Sequence, residues 1–424
     1  MSYETVSVIG LGYIGLPTAA MFAAVGKKVI GVDVNKDVVE TINRGEIHIV
    51  EPDLDVMVQS AVANGSLRAT LTAEPADAFL IAVPTPFQVD MEEGVPQPDL
   101  KYIKSACCTI APSLKSGDLV ILESTSPVGA TEEMANWLAQ ERPDLSFPQD
   151  KGEQSDIRIA HCPERVLPGH VVRELVENDR VIGGMTSACS LAAVELYKTF
   201  VTGECVVTNA RTAEMAKLTE NSCRDVQIAF ANELSVICEE LKIDVWELIK
   251  LANRHPRINI LQPGPGVGGH CIAVDPWFIV SRTPDRARLI HTARKVNDSK
   301  PAWVADKIKV AISDILQRNS NKSLSDVTIS FYGLAFKPDI DDLRESPAVG
   351  IVETMIAYHA GRLLAVEPNV RVLPEKLSSV DLVTMEEAHE LADIHVLLVD
   401  HKGFSDKKPK KGVVIDTKGA WEKG

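Results

Sequence analysis

The amino-terminal segment, which runs to Asp33, restricts the fold more than any other part of the chain. A short apolar segment leads into Gly10, Gly12 and Gly15, which open a segment of helical spacing, and a second apolar segment ends near Asp33. In such a strand–turn–helix, the first glycine allows a tight turn and the second lets the backbone approach a pyrophosphate. The third lets the helix pack closely on the strand. The pattern therefore predicts a parallel α/β sheet that starts with a dinucleotide-binding turn.

The acidic residue at the end of the second strand indicates which dinucleotide is bound. Asp33 is expected to accept hydrogen bonds from the adenosine ribose hydroxyls and to repel a 2′-phosphate, so we expect NAD rather than NADP. The alternative is a glycine turn that binds nothing. Thr85 and Thr125 each follow a further predicted strand and could reach the nicotinamide ribose or amide, or be ordinary turn residues. The expected cofactor residues of this part of the chain are Gly10, Gly12, Tyr13, Ile14, Gly15, Asp33, Thr85 and Thr125.

Strand and helix patterns alternate in two parts of the chain. Apolar strand candidates lie at residues 6–10, 28–34, 78–83, 119–123 and 158–162, and again at 327–332, 363–366, 394–399 and 413–416. Between the two parts lie long helical patterns at residues 211–241 and 300–317 and a polar linker at 319–325. We therefore expect an α/β fold: two Rossmann-like doubly wound parallel-sheet domains joined by a long central helix, with boundaries at 1–205, 206–318 and 319–424.

Composition excludes several classes of function. The formal net charge of −15 argues against a general nucleic-acid or membrane-surface binder. The eight cysteines include no C-x-x-C pair, which favours reduced cytoplasmic thiols over a disulfide frame or a zinc site. The same cysteine pattern leads us to expect no metal and a cytoplasmic protein. The chain enters a strand at once, so we expect no signal peptide and no membrane span.

Cys271 is the strongest candidate for covalent chemistry. It ends a run that contains Gly266, Gly268 and Gly269, and it lies four residues before Asp275. Glycines let a loop bring its backbone against a ligand, and a thiol can hold an aldehyde as a thiohemiacetal that a second hydride loss turns into a thioester. The alternative for the cysteine is a small buried hydrophobe. Asp275 could move protons through water or could cap a helix.

Polar side chains on the long helix form a second candidate group. Lys217 and Asn221 share one helical face with Glu220 and Arg224. A lysine can hold a substrate oxygen and an asparagine can donate to it, whereas the alternative is a solvated stripe of salt bridges. Glu164 follows a predicted strand, where a carboxylate could activate the water that hydrolyses a thioester.

Basic side chains near these segments indicate an anionic substrate. Arg165 and Arg257 are the kind of guanidinium forks that bind a pyrophosphate or a carboxylate. Lys337 and Arg344 lie where the second α/β domain would have its phosphate turn, in a segment without a glycine triplet. We therefore expect a nucleotide-like anion held there by side-chain charge. The alternative is an interdomain salt-bridge loop.

From end to end the chain resembles the UDP-glucose/GDP-mannose dehydrogenase family. The segments that carry the resemblance are residues 10–17, 43–52, 252–271 and 274–277, and the last two are far more specific than the glycine triplet. The resemblance implies a four-electron oxidation of a sugar C6 alcohol to a carboxylate with two NAD. It implies a UDP-sugar site in the third domain and a homodimer with the long helix at its interface.

The resemblance also assigns roles to residues. It makes Cys271 the nucleophile and Lys217 the catalytic lysine, with Asn221 at the oxyanion and Glu164 and Asp275 handling protons and water. The substrate residues it implies are Arg165, Val166, Lys217, Asn221, Arg224, His255, Arg257, Gly268, Phe336 and Lys337. It places Arg344 toward the cofactor and lets Arg257 reach a neighbouring subunit's site.

Departures from the UDP-glucose branch of the family concern the substrate. Before the cysteine the chain reads Val-Gly-Gly-His, and the segment Asn-Arg-His-Pro at 253–256 differs too. Both changes fit an acetamido group at C2. The resemblance implies oxidation of UDP-N-acetyl-D-mannosamine to its uronate, a precursor for surface polysaccharide. UDP-N-acetylglucosamine and UDP-glucose remain alternatives. So do a two-electron β-hydroxyacid dehydrogenase, which needs no thiol, and a non-catalytic NAD sensor.

Overall fold

A computed structural model describes residues 3–88, 94–167, 169–269, 271–405 and 407–421. The chain divides into two compact units. The first unit is residues 1–220 with 277–283, and the second unit is residues 221–276 with 284–424. The three-domain boundaries expected from the sequence stay a prediction.

The first unit is built on one sheet with helices in its connections. Within the described residues its strands are β1 (Thr5–Ile9), β2 (Lys28–Val32), β3 (Leu67–Thr70), β4 (Ala78–Ile81), β5 (Leu119–Leu122), β6 (Arg158–His161), β7 (Arg180–Gly184) and β8 (Cys205–Asn209). Its helices are α1 (Gly15–Ala24), α2 (Lys36–Asn43), α3 (Leu54–Ala63), α4 (Lys101–Ile110), α5 (Ala130–Glu141), α6 (Pro148–Lys151), α7 (Val171–Glu177) and α8 (Ser187–Tyr197).

The strand order places the predicted ligand residues at one edge of this sheet. The order is β3-β2-β1-β4-β5-β6-β7-β8, so the direction of winding reverses between β1 and β4. Successive residues of the buried strands enter different cores: Val8 and Leu80 pack in one cluster, and Ile9 and Ile81 in another. A strand with both faces buried is what a doubly wound sheet requires. Ligands of such sheets bind at the carboxyl ends of the strands near the reversal.

One strand departs from the parallel pattern. The prediction of doubly wound parallel sheets is confirmed for the remaining neighbours, but β7 runs antiparallel to β6. The reason is the connection: β6 returns through a loop and the short helix α7 and does not cross over the sheet. Single-sequence patterns gave no sign of β7, which holds two glycines, or of the partly exposed β8.

The central part of the chain is helical. Its helices are α9 (Ala210–Leu241), α10 (Val245–Ala252), α11 (Asp275–Arg282) and α12 (Arg288–Arg318). The predicted long helix at 211–241 is confirmed, whereas the helix predicted from Lys300 starts earlier and runs through Pro301. Its first turns bury Arg294 and Asn297, and polar residues on the inner face conceal the apolar periodicity that would have marked the start.

The second α/β sheet lies in the second unit. Within the described residues its strands are β9 (Ile329–Tyr332), β10 (Leu363–Val366), β11 (Asp381–Leu382), β12 (Ile394–Leu397) and β13 (Val413–Asp416), and its helices are α13 (Pro347–Tyr358) and α14 (Met385–Leu391). All its strand pairs are parallel, in the order β11-β10-β9-β12-β13. Winding reverses between β9 and β12, as it does between β1 and β4 in the first sheet. In the part of the chain that the structure describes, no helix is both long and apolar enough to span a bilayer.

Candidate active site

The glycine turn after β1 has the shape that a dinucleotide needs. Gly10 has a φ of +91°, and a Cβ there would lie 2.7 Å from the carbonyl oxygen of Ala82. A Cβ at Gly15 would lie against the carbonyl oxygen of Gly10, so helix α1 can pack on the turn only without one. A Cβ at Gly12 would meet no protein atom within 4 Å and would point into open space. The first and third glycines therefore satisfy the fold, while the second leaves room for a ligand. The turn fits the pyrophosphate of NAD.

Asp33 connects the turn to the second strand. It directly follows β2, and its Oδ2 accepts a hydrogen bond of 2.9 Å from the N–H of Leu11. Its Oδ1 accepts a hydrogen bond of 2.9 Å from the N–H of Asn35. The side chain remains partly exposed. A carboxylate has further lone pairs, so the same group that orders the turn can also accept from ribose hydroxyls.

Thr85 and Thr125 lie in the loops after β4 and β5, at the edge where the glycine turn lies. The hydroxyl of Thr85 is buried and, among the described residues, makes no hydrogen bond. The neighbouring Ser124 hydroxyl donates to the Val83 carbonyl at 2.7 Å, which holds the two loops together. A buried hydroxyl without a partner is costly unless a ligand satisfies it. This observation fits the predicted nicotinamide contact of Thr85.

Glu164 lies in the loop after β6, at the same edge of the first sheet. Its side chain is 8% exposed, and its Oε1 accepts a hydrogen bond of 2.8 Å from the N–H of Arg165. The Arg165 guanidinium forms an ion pair of 3.1 Å with Glu220 of α9, so the two polar segments predicted separately meet within the first unit. Val166 is partly buried and packs with its side chain against the core, and its substrate role stays a prediction.

Helix α9 carries Lys217 and Asn221 one turn apart. Lys217 and Asn221 are both partly exposed, while Arg224 is exposed. Asn221 donates a hydrogen bond of 2.5 Å to the Oδ2 of Asp275. Asp275 is 2% exposed and is the first residue of α11. Asp275 therefore begins a helix and accepts a hydrogen bond from a predicted site residue, and its role in moving protons stays a prediction.

Cys271 lies at the start of the turn that leads into α11. The thiol-bearing residue is exposed, and its carbonyl accepts hydrogen bonds from the N–H groups of Val274 and Asp275, at 3.0 and 2.8 Å. The sulfur-bearing residue is thus joined to Asp275 through the backbone, and Asp275 is joined to Asn221 through its side chain. His270, directly before the cysteine, lies outside the described residues.

The glycines before Cys271 pack against the loop after β9. A Cβ at Gly268 would lie 2.3 Å from the Glu345 carbonyl oxygen, and Gly269 has a φ of +85°. A Cβ at Gly269 would lie 3.1 Å from the ring of Phe336. No larger residue fits either position without moving the backbone. Two predicted substrate residues, Gly268 and Phe336, are therefore brought together within the second unit.

A buried polar network holds the beginning of the cysteine loop. The Gly264 N–H donates to the Asn232 Oδ1 at 2.9 Å, and the Asn232 amide donates to the Asn297 Oδ1 at 2.9 Å. Asn297 donates to the Asp225 carboxylate at 2.8 Å, and Arg294 forms an ion pair of 2.6 Å with that carboxylate. Burial raises the pKa of Asp225, and the Arg294 charge opposes that rise.

The sequence reading missed this network, although a signal was present. Asn221, Asp225 and Asn232 lie at spacings of four and seven residues on α9, which places them on one helical face. The polar face predicted from the sequence, with Lys217, Glu220, Asn221 and Arg224, covered only the first turns of this polar stripe. The polar stripe continues along α9 into the core. Its buried end binds the beginning of the cysteine loop, and its exposed beginning carries side chains that are expected to act together with that loop.

The loop after β9 is supported by a buried acid–imidazole pair. The Glu367 Oε2 accepts hydrogen bonds from the N–H groups of Leu334 and Ala335, at 2.7 and 3.1 Å, and lies 3.0 Å from the His401 Nε2. The His401 Nδ1 accepts from the Asp339 N–H at 2.9 Å, so Nε2 carries the proton that is donated to Glu367. Burial alone would raise the pKa of Glu367, but the hydrogen bonds outweigh burial and lower it.

Three predicted basic residues have local partners. The Arg344 guanidinium binds the Asp342 carboxylate through two hydrogen bonds, of 2.9 and 2.8 Å. His255 and Arg257 are exposed and approach each other at 3.5 Å. The substrate role of this pair stays a prediction. Among the residues described, no group of three or more His, Cys, Asp or Glu side chains is arranged to hold a metal ion.

Comparison with protein families finds three matching domains in order along the chain. The NAD binding domain of the UDP-glucose/GDP-mannose dehydrogenase family matches residues 4–201, its central domain 211–299, and its UDP binding domain 330–423. Together these matches cover most of the chain.

Individual relatives match over the full length. The chain is 66% identical to UDP-N-acetyl-D-mannosamine dehydrogenase of Yersinia pestis, over 99% of this chain and 100% of that protein. It is 61% identical to NDP-N-acetyl-D-galactosaminuronic acid dehydrogenase of Ralstonia nicotianae, over 99% of this chain and 97% of that protein. Among solved structures, UDP-D-ManNAc dehydrogenase from Pyrococcus horikoshii superposes with a TM-score of 0.86 at 37% identity, over 99% of this chain and 96% of that one.

Proposed function

This chain belongs to the UDP-glucose/GDP-mannose dehydrogenase family, and from that premise we propose that it oxidises the C6 alcohol of UDP-N-acetyl-D-mannosamine to a carboxylate with NAD. The single observation that carries the covalent route is Cys271: it is exposed and is tied through its own carbonyl to Asp275, which Asn221 holds. A thiol held in this way can form a bond to carbon and release it again.

The residues of the first unit fit the cofactor. Open space beside Gly12, a partly exposed Asp33 and an unsatisfied Thr85 hydroxyl are the features that a bound dinucleotide would use. NAD, when bound, supplies the hydride acceptor for each of the two oxidations. The side chains do the remaining work by orienting the sugar, holding the developing oxyanion and moving protons.

The proposed sequence of bonds balances over two oxidations. The C6 alcohol loses a proton and a hydride to give an aldehyde. The Cys271 sulfur adds to C6 while the C=O π bond opens and the oxygen takes up the thiol proton, which gives a thiohemiacetal. Loss of a second hydride and a proton gives a thioester. Water attacks the thioester carbon, the carbon–sulfur bond breaks, and the acid and the free thiol result. Lys217 and Asn221 are assigned to the oxygen on C6, Glu164 and Asp275 to protons and water.

The identity of the sugar is the least constrained part of the proposal. Two relatives of similar identity carry names with different N-acetylhexosamine sugars, at 66% and 61%. The second candidate is therefore an oxidation in the N-acetylgalactosamine series by the same chemistry. Both sugars have an acetamido group at C2, in agreement with the departure of the cysteine loop from the UDP-glucose pattern.

We also propose a cytoplasmic homodimer. Phe230, Ile237 and Leu241 recur along α9 at spacings of seven and four, which places them on one face, and their exposed fractions are 55%, 42% and 62%. Large apolar side chains exposed in a row are typical of an interface. None of the eight cysteines, all of which lie in the described residues, forms a disulfide bond, which is typical of a reducing compartment. Light scattering should give a mass of twice the 46.1 kDa of one chain, and Phe230→Glu should reduce the measured mass toward that of a single chain.

The test of the activity is a substrate panel with stoichiometry. UDP-ManNAc, UDP-GalNAc, UDP-GlcNAc and UDP-glucose are each incubated with NAD, and NADH and uronate are counted. We expect two NADH per sugar and the highest kcat/KM for UDP-ManNAc. Preference for UDP-GalNAc would favour the second candidate, and one NADH per sugar without acid would overturn the four-electron reaction.

A further inference from the structure

A buried arginine forms an ion pair with Glu164. Arg180 is the first residue of β7, and its side chain is 4% exposed. Its Nη2 lies 3.0 Å from the Oε2 of Glu164. The Oε1 of Glu164 accepts a hydrogen bond from the Arg165 N–H, and its Oε2 forms the ion pair with Arg180, which does not have hydrogen-bond geometry. The hydrogen bond and the ion pair together orient the carboxylate.

The reversed strand explains why an arginine reaches this edge. In the antiparallel pair, Ala160 lies opposite Gly184 and His161 lies opposite Gly183. Continuing this register by three residues past His161 places Glu164 opposite Arg180. In a parallel strand the first residue would lie at the far edge of the sheet, away from the ends of β5 and β6. The reversal therefore delivers a cation to the edge that carries the predicted ligand residues.

The guanidinium is enclosed by groups from neighbouring elements. Its carbon lies 4.4 Å from the ring centre of Tyr197 on α8, and its Nη1 lies 3.7 Å from the Cys162 sulfur after β6. Nη1 also lies 3.9 Å from the Oε1 of Glu123 after β5, and the Tyr197 hydroxyl donates to that oxygen at 3.0 Å. Such packing leaves the guanidinium little freedom to turn away from Glu164.

The carboxyl, thiol and phenol groups that surround the Arg180 guanidinium include three with raised pKa values, those of Glu123, Cys162 and Tyr197. Burial, and then the nearby Glu164 charge, raise the pKa of Glu123 from 4.5 to about 8, so this acid is neutral at pH 7. Burial would lower the pKa of Arg180, but the carboxylate of Glu164 outweighs burial and keeps the guanidinium charged. Burial raises the pKa of Cys162 to about 12 and also raises that of Tyr197, so both are neutral. The carboxylate nearest to the guanidinium is that of Glu164, at 3.0 Å, against 3.9 Å for Glu123.

We propose that Arg180 is a positioning residue that holds the carboxylate of Glu164 aimed at the ligand edge of the first sheet. A buried carboxylate without a cation takes up a proton, and a protonated acid cannot accept one from water. This inference rests on the proposed function, because it assumes the role given to Glu164 in thioester hydrolysis.

The first test is Arg180→Gln in the full-length enzyme. We expect kcat for acid formation to fall about 10- to 100-fold, since general-base catalysis is lost in part, with KM for both substrates within about twofold. The acidic limb of the kcat–pH profile should move to higher pH. Arg180→Lys keeps a cation and should recover part of kcat. An unchanged pH profile in Arg180→Gln would contradict the proposal.

The second test separates this inference from the proposed function. If Arg180 acts through Glu164, adding Arg180→Gln to Glu164→Gln should cause no further loss of kcat. The double variant also removes the buried charges as a pair, so it should be more thermostable than Arg180→Gln alone and remains measurable if that variant folds poorly. A further loss in the double variant would overturn the positioning role. Full acid yield from Glu164→Gln would instead overturn the role proposed for Glu164.

The matched control is Glu123→Gln, which replaces a neutral acid with a neutral amide of the same shape. We expect kcat and its pH profile to stay within about twofold of wild type. The raised pKa of Glu123 means that the wild type loses stability as pH rises from 4.5 to about 8. The variant should therefore gain in melting temperature over the wild type across that window. A loss of kcat equal to that of Arg180→Gln would contradict the assignment of the cation to Glu164.

Discussion

The two sheets of this protein use the same construction at their ligand edges, with a different outcome. In both, an acidic residue follows the second strand of the winding and accepts hydrogen bonds from the turn after the first strand. Asp33 accepts from the Leu11 N–H, and Glu367 accepts from the N–H groups of Leu334 and Ala335. Asp33 is partly exposed, whereas Glu367 is 4% exposed and its oxygen also accepts a hydrogen bond from His401.

The difference shows what an acid at this position can do. At the first edge the acid has spare capacity and the turn has open space at Gly12, which suits a ribose and a pyrophosphate. At the second edge the same carboxylate oxygen already binds the imidazole of His401, and the turn carries Lys337 and no glycine triplet. The first edge is therefore suited to a dinucleotide, and the second to an anion held by side chains.

The largest expected effect lies outside both edges. Cys271→Ala should lower the rate of acid formation at least about 10³-fold, because the covalent route is lost while both binding edges stay intact. NAD and UDP-sugar affinities, measured by calorimetry, should stay within about threefold, since the thiol is assigned to bond formation with C6 and not to ligand binding. Cys223→Ala removes another exposed thiol and is the control. Wild-type acid yield from Cys271→Ala would overturn the mechanism.

The next largest effect tests the open space at the first edge. Gly12→Ala adds a Cβ that meets no protein atom, so the protein should fold normally. The methyl group would occupy the approach of the pyrophosphate, and NAD affinity should fall about 10- to 100-fold through loss of backbone hydrogen bonds to a charged group. UDP-sugar affinity should not change. Gly350→Ala also meets no protein atom, within α13, and is the control. Equal NAD affinity of both variants would contradict the assignment of the open space at Gly12 to the pyrophosphate.

The corresponding test at the second edge removes a side-chain charge. Lys337→Ala should weaken UDP-sugar binding about 10- to 30-fold, the usual loss for one charge-assisted contact to a phosphate, and leave NAD binding unchanged. Lys376→Ala removes a surface lysine of the same domain, which pairs with Glu353, and should change neither affinity. Equal loss of both ligands in Lys337→Ala would refute the assignment of this edge to the sugar nucleotide.

The smallest expected effect is a difference in the free energy of unfolding between variants of the two acids. Glu367→Gln should lower the free energy of unfolding by about 1–3 kcal/mol at pH 7, because a buried, hydrogen-bonded charge is lost, while Asp33→Asn should cost less than about 1 kcal/mol. The pKa of Glu367 is lowered in the fold, so its contribution is present above 4.5 and is lost as pH falls below it. The deficit of Glu367→Gln should therefore shrink in acid. Equal deficits of the two variants would contradict the difference between the edges.

Patterns read from the chain found the parts of the site that are local in sequence. The glycine turn at residues 10–15, the long helix with Lys217 and Asn221, and the loop that ends at Cys271 are all confirmed as elements. Their roles as site residues stay predictions. Each such element is specified by neighbours within about one helical turn or one tight turn, which is why spacing alone finds it.

The sequence by itself determined the two doubly wound sheets, the central helix and the cysteine loop, because apolar periodicity and glycine placement act over short stretches of chain. Only the tertiary structure decided which buried polar groups support the site. Asn232 meets Gly264 across 32 residues, Glu367 meets His401 across 34, and Arg180 meets Glu164 only because β7 runs backwards. Such pairs depend on strand direction and on helix packing, and no local pattern of residue types specifies either of these.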